Sequence, residues 1–278
     1  PRRRGGLPSR GRRPTRIDPG VSDPTARPGA SGVGEGEIVG TSSVRILFSV
    51  VRIATAIAAV IGVIAQYHVN YAYWQDLGIP GIAGKSLDFA LFFTVDANLL
   101  GAVVLAVGGV RLARGRLADP GVGWVTLRLA STVYLVITGI VWNLLLRGQP
   151  QPEPLKLDWA DQIVHVAVPL IVLLDWILAP DRRPLRAGAI GRVIAFPLAW
   201  ILVTLVRGPF TGDEVFRTAT YYPYGFLNPD SSPGGYGTVA AYVVGLTLAV
   251  CAITGALILV SRRRSPTDPH RAAASAIR

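Results

Sequence analysis

Residues 238–260 read TVAAYVVGLTLAVCAITGALILV, and none of these side chains is charged. A helix needs about 20 predominantly apolar residues to cross the hydrocarbon core of a bilayer, so this stretch is long enough to span by itself. Working back along the chain, five more stretches approach or exceed that length, at 46–66, 89–110, 122–146, 163–179 and 189–206. The stretch at 189–206 is the weakest, because Arg192 and Pro197 interrupt it; Arg192 is close to one end, where a long side chain reaches the headgroups. Half of the 278 residues are hydrophobic and only 16% are charged, which is fewer charges than a soluble domain of this size needs for its surface. The expected fold class is therefore all-α, a polytopic membrane protein built as a bundle of six transmembrane helices over residues 45–262.

The charges sort by side. With the N-terminus in the cytoplasm, 21 of the 28 Lys and Arg residues fall on the cytoplasmic side, in the two tails and the second and fourth loops. Lys85, Arg147, Lys156, Arg207 and Arg217 fall on the other, and Arg52 and Arg128 lie within helices. This is the positive-inside pattern, with both termini cytoplasmic. The net charge of +11 then calls for no nucleic acid as partner, since anionic lipid accounts for it. Residues 1–44, rich in Arg, Pro, Gly and Ser, read as a disordered cytoplasmic tail rather than a cleavable signal, because no short apolar segment with a cleavage site follows the charges. Residues 263–278 read as a second cytoplasmic tail. Methionine is absent, as in a chain that begins after its initiator. Cys251 is the only cysteine, which excludes an intramolecular disulfide and a cysteine-based zinc site. No internal repeat is visible.

A polar side chain in lipid must find a partner or face a cavity, so the polar residues of the spans form a short and informative list. Arg52, Arg128 and Asp175 all fall near the cytoplasmic ends of their helices, and opposite charges at matched depth are expected to form a structural ion pair. Thr94 and His165 fall near the opposite face, roughly 9 Å and 6 Å inside their helices at 1.5 Å per residue. A hydroxyl and an imidazole that meet in a dry site are the minimum parts of a nucleophilic hydrolase. Asp161, one helical turn from His165, is placed to orient its ring; Asp96 is a second candidate, although it points away from the Thr94 stripe. Asn98 and Asn143 carry amide donors suited to a developing oxyanion. No metal or other cofactor is required. The bland alternative for Thr94 is a hydroxyl bonded to the carbonyl of Ala90, four residues back in its own helix. The loop over 207–236 holds Tyr221, Tyr222, Tyr224, Phe226 and Tyr236, and reads either as a cap over the site or as an interfacial aromatic belt.

Phe93-Thr94 with Asn98, and His165 followed by Pro169 and Asp175-Trp176, resemble the androgen-induced and androgen-dependent membrane-protein family, and most closely its bacterial six-helix relatives. Those relatives share an outer stretch like Tyr222-Pro223-Tyr224-Gly225-Phe226-Leu227 and a following Gly235-Tyr236-Gly237. The resemblance covers residues 45–262. It implies an intramembrane threonine hydrolase of fatty acid esters of hydroxy fatty acids, with the nucleophile falling on Thr94 and the base on His165. It also implies residence in a bacterial cytoplasmic membrane. One departure bears on substrate choice: the relatives carry Thr-x-x-Ser-Asn, whereas Thr94-Val95-Asp96-Ala97-Asn98 has Ala97 in place of the serine and gains Asp96. The resulting expectation is a lipid-ester hydrolase that draws its substrate from the membrane. The rival expectation is a non-catalytic membrane protein, a small transporter or a scaffold, with the same fold.

Overall fold

A computed structural model describes residues 34–115 and 121–262. The chain divides into two compact units, Pro1–Val39 and Gly40–Arg278. Of the first unit only residues 34–39 are described, and they are helical. Residues 1–33 of the tail expected at 1–44, and the tail expected at 263–278, lie outside the described residues; residues 34–44, expected as disordered, are helical.

Among the described residues the fold is helical, with no strand beyond one isolated bridge, and six helices are long and apolar enough to cross a membrane. The protein is a multi-pass integral membrane protein with an all-α six-helix core. Helix α1 (Gly34–Asp76) is the first span and is longer than expected at both ends. A short helix α2 (Ile82–Ala90) precedes the second span, α3 (Phe93–Ala113). The third span is α4 (Gly121–Val141), continued by a π turn at Trp142–Leu146. The fourth is α5 (Asp158–Gln162), a π turn at Ile163–Ala167 and α6 (Val168–Leu178). The fifth and sixth are α7 (Ala189–Arg207) and α8 (Tyr236–Arg262).

The main core runs through α4, the most enclosed helix, whose Leu129, Val133 and Leu135 have no exposed surface. Such burial follows from the sequence of α4, in which small and apolar residues occupy every face from Leu129 to Thr138. Glycines bring neighbours close: a Cβ on Gly139 would stand 2.9 Å from the carbonyl oxygen of His165, and one on Gly101 would stand 2.6 Å from a methyl of Leu135. Small residues of this kind let membrane helices approach each other's backbone.

Two prolines sit inside spans and each leaves a carbonyl without its usual partner. Pro197 of α7 has no N–H to give the carbonyl of Val193, and the Tyr134 hydroxyl donates to that oxygen instead at 2.7 Å. Pro169 likewise cannot serve the carbonyl of His165, and the turn that holds His165 widens into π geometry, closed by Val168 N–H donating to the Ile163 carbonyl.

Arg52, Arg128 and Asp175 come together, with a fourth member. Arg52 Nε donates to Asp175 Oδ1 at 2.7 Å, and Arg128 Nη2 to Asp175 Oδ2 at 3.1 Å. Asp181, in the connection before α7, receives Arg52 Nη2 at 2.7 Å and Arg128 Nη1 at 3.1 Å. Two guanidiniums and two carboxylates thus close a neutral square that ties α1, α4 and α6 together. Charge pairing is what makes burial of these groups tolerable, since an unpaired charge there costs several kcal/mol. Burial alone pushes the Asp181 carboxyl up, but the hydrogen bond from Arg52 and the charge of Arg128 outweigh it and hold the group down at about 2.

A candidate nucleophile site at the start of the second span

The stretch expected as one helix over 89–110 is broken. Helix α2 stops at Ala90, Phe92 is extended (φ −65°, ψ 128°), and α3 starts at Phe93. Thr94 is therefore the second residue of a helix rather than a residue six positions inside one. Side chains from elsewhere hold the break open. The indole N–H of Trp200 donates to the Leu91 carbonyl at 2.9 Å, and the Thr94 N–H donates to the Tyr224 hydroxyl at 3.3 Å. With the helix interrupted, the Thr94 hydroxyl does not bond the carbonyl of Ala90. It lies 3.3 Å from His165 Nε2 and 3.3 Å from Tyr224 Oη.

The imidazole of His165 is buried and fixed on three sides. Its Nδ1 lies 3.2 Å from the Asp161 carbonyl oxygen and 3.4 Å from Asp161 Oδ1. Both can accept when the carboxyl is ionised, so Nδ1 carries the donated proton and Nε2 presents its lone pair to Thr94. The Trp142 indole stacks on the ring, with centroids 4.9 Å apart and planes at 7°. Arg147 in turn lies over Trp142 at 5.2 Å. Trp142 belongs to the π turn of the third span and His165 to that of the fourth, so two locally widened turns face each other at the site. Widened turns of this kind recur at functional sites.

The other expected residues divide. Asn98 is fully buried, with its amide N–H group donating to the carbonyls of Thr94 (2.9 Å) and Val164 (3.3 Å). It clamps the Thr94 turn to the fourth span, and its donors are engaged rather than free for an oxyanion. Asn143 donates to the Gly139 carbonyl at 2.9 Å and accepts from Arg147 at 3.3 Å, so it stands beside the site without reaching Thr94. The carboxyl of Asp96 makes no hydrogen bond or ion pair with a described residue, and of the two candidate acids Asp161 is the one against His165. Among the described residues no His, Cys, Asp and Glu cluster could hold a metal ion.

Tyr224 is the member that reasoning from residue types passed over, although its aromatic loop stood out. The ring stacks on Phe226 (5.4 Å, 2°) and meets Phe92 edge-on (5.7 Å, 88°). Burial pushes its phenol above the ordinary value, against the opposing effect of the hydrogen bonds with Thr94, so the group stays a neutral O–H. The loop before it is anchored by charge. Buried Lys85 lies 3.3 Å from Asp88 and 3.3 Å from Glu214, and Arg207 pairs with Asp88. Tyr222 packs its ring against Gly208, where any Cβ would collide.

An apolar cleft leads away from Thr94 and Tyr224 between the third, fifth and sixth spans. Ile137, Val141, Pro197, Ile201, Leu246 and Val250 line it, and it holds about 560 Å³ of space free of atoms, counting its open mouth. No family model, curated protein or solved structure matches the chain.

Proposed function

We propose that this multi-pass membrane protein is a lipid-ester hydrolase with Thr94 as nucleophile and His165 as general base. The observation that carries the proposal is the Thr94 Oγ1 to His165 Nε2 approach of 3.3 Å, with His165 Nδ1 directed at Asp161. A hydroxyl against the unprotonated nitrogen of an oriented imidazole is the arrangement that acyl transfer needs.

The chemistry runs as follows from the residues present. His165 Nε2 takes the Thr94 hydroxyl proton as Oγ1 bonds to the ester carbonyl carbon. The oxygen of the tetrahedral intermediate takes the negative charge, and the Tyr224 O–H, 3.3 Å from Thr94 Oγ1, is the donor proposed for it. The C–O bond to the leaving alkoxide breaks, and the alkoxide receives the proton from His165. Water, deprotonated by His165, then attacks the acyl-threonine, releasing a carboxylic acid and restoring the hydroxyl. The apolar cleft beside Thr94 suits an acyl chain that arrives from the bilayer.

The resemblance of Phe93-Thr94, Asn98 and His165 to the androgen-induced and androgen-dependent family supports the same reading, and with it a lipid ester such as a fatty acid ester of a hydroxy fatty acid. The resemblance supports a bacterial cytoplasmic membrane, and the charge sorting supports both termini inside with the site toward the outer leaflet. Against a transport path stands the buried apolar packing of Leu129, Val133, Leu135 and Val168, in which the buried polar groups of the third span between Arg128 and Asn143 are the hydroxyls of Ser131, Thr132, Tyr134 and Thr138 and carry no charge.

The test is covalent labelling. A fluorophosphonate probe should label the purified protein, and Thr94→Ala and His165→Ala should each abolish labelling while helicity by circular dichroism is retained. Labelling that survives Thr94→Ala ends the nucleophile assignment.

A further inference from the structure

At the end of the bundle away from Thr94, α7 carries an arginine one turn inside its span. Arg192 is exposed and forms no ion pair with a described residue. The carboxylates nearest in the chain, Asp175 and Asp181, are both held by Arg52 and Arg128. Beside Arg192 the surface is grooved between α3, α4 and α7, with Leu100, Val122, Leu127, Tyr134 and Phe196 in its walls. Val122, Leu127 and Phe196 are exposed there. A lone cation within a membrane span has to be matched by an anion or by the headgroup region. The groove runs from Val122 to Tyr134 along α4, roughly 18 Å at 1.5 Å per residue. That is close to one leaflet's share of a hydrocarbon core about 30 Å thick.

We propose that this groove is a binding site for one anionic phospholipid, with the headgroup phosphate at Arg192 and an acyl chain along the groove. Charge complementarity selects the occupant. The apolar wall takes any acyl chain, but the unpaired guanidinium distinguishes a lipid of net negative charge from a zwitterionic one, whose own ammonium competes for the phosphate. The site is separate from Thr94 and does not depend on hydrolase activity.

The experiment is native mass spectrometry of the full chain in detergent, titrated with phosphatidylglycerol or phosphatidylcholine of the same acyl chains. Wild-type protein should retain phosphatidylglycerol over phosphatidylcholine. Arg192→Gln should lower phosphatidylglycerol retention about fivefold, the effect of one basic residue at an anionic surface, and leave phosphatidylcholine unchanged. Arg192→Lys should keep most of the preference, and Leu127→Trp, which fills the groove, should lower retention of both lipids. Equal retention of the two lipids by wild-type protein overturns the proposal. So does an Arg192→Gln protein that is folded and keeps the full preference, or one that loses both lipids alike.

Discussion

The indole of Trp142 lies flat on the imidazole of His165, with centroids 4.9 Å apart and planes 7° from parallel. Asp161 fixes one nitrogen of that imidazole, but one hydrogen-bonded edge still allows the ring to tilt. The indole face removes the tilt, so Trp142 is a positioning residue for the Nε2 lone pair. Misplacing a reacting group by about 1 Å can cost on the order of 10²-fold in rate. Trp142→Leu should therefore slow fluorophosphonate labelling of Thr94 by about that factor, and Trp142→Phe should recover most of it. Unchanged labelling in Trp142→Leu would show that Asp161 alone holds the ring.

Tyr224 separates chemistry from packing. Its ring stacks on Phe226 and meets Phe92 edge-on, and its hydroxyl meets Thr94. Tyr224→Phe keeps the ring contacts and removes only the hydroxyl, which is the proposed oxyanion donor and also accepts the Thr94 N–H. Loss of one oxyanion donor typically lowers kcat by about 10²–10³-fold. Ester hydrolysis by Tyr224→Phe should fall by that order with thermal stability near wild type. A large loss of stability with little loss of rate would instead make Tyr224 a pin for the helix break.

That break shows what the sequence could and could not convey. The charge-free run at 238–260 and its five companions are local signals, and each appears as a membrane-length helix. The interruption at Leu91–Phe92 has no local signal, since no proline or glycine lies in Phe89-Ala90-Leu91-Phe92-Phe93. It is held by Trp200 and Tyr224, which are 109 and 130 residues further along the chain than the groups they bind. Matched depth could suggest that Thr94 and His165 meet. It could not show that Thr94 starts a helix, which is what frees its hydroxyl from Ala90. Asp181 was missed for a related reason: it lies in an arginine-rich connection between spans, where a carboxylate looks solvated until the fold brings Arg52 beneath it.

Gly139 tests how tightly the third and fourth spans must meet. A Cβ there would stand 2.9 Å from the His165 carbonyl oxygen and 3.1 Å from Pro169 Cβ. Neither neighbour is the end of a flexible side chain, so the helices must separate. Gly139→Val should lower the thermal midpoint, with overpacking costs of about 1–3 kcal/mol, and should slow Thr94 labelling as well. Gly123→Ala, where nothing stands within 4 Å, is the matched control and should change neither.

The buried square of charges predicts an acid response. Asp181 is held at about 2 in the folded protein, below the ordinary 3.8, because Arg52 and Arg128 favour its charged form over the opposing effect of burial. A depressed carboxyl contributes stability that is fully present above its unfolded value and is lost as pH falls through its folded value. The contribution is of the order of 2 kcal/mol, and the window runs from about pH 4 down to about pH 2. Asp181→Asn removes the titrating group and leaves Arg52 and Arg128 sharing Asp175. Its thermal midpoint in detergent should be lower than wild type at pH 7, and the gap should narrow as pH drops through that window. A gap that stays constant from pH 7 to pH 2 would show that the carboxylate of Asp181 adds nothing to the square beyond its shape.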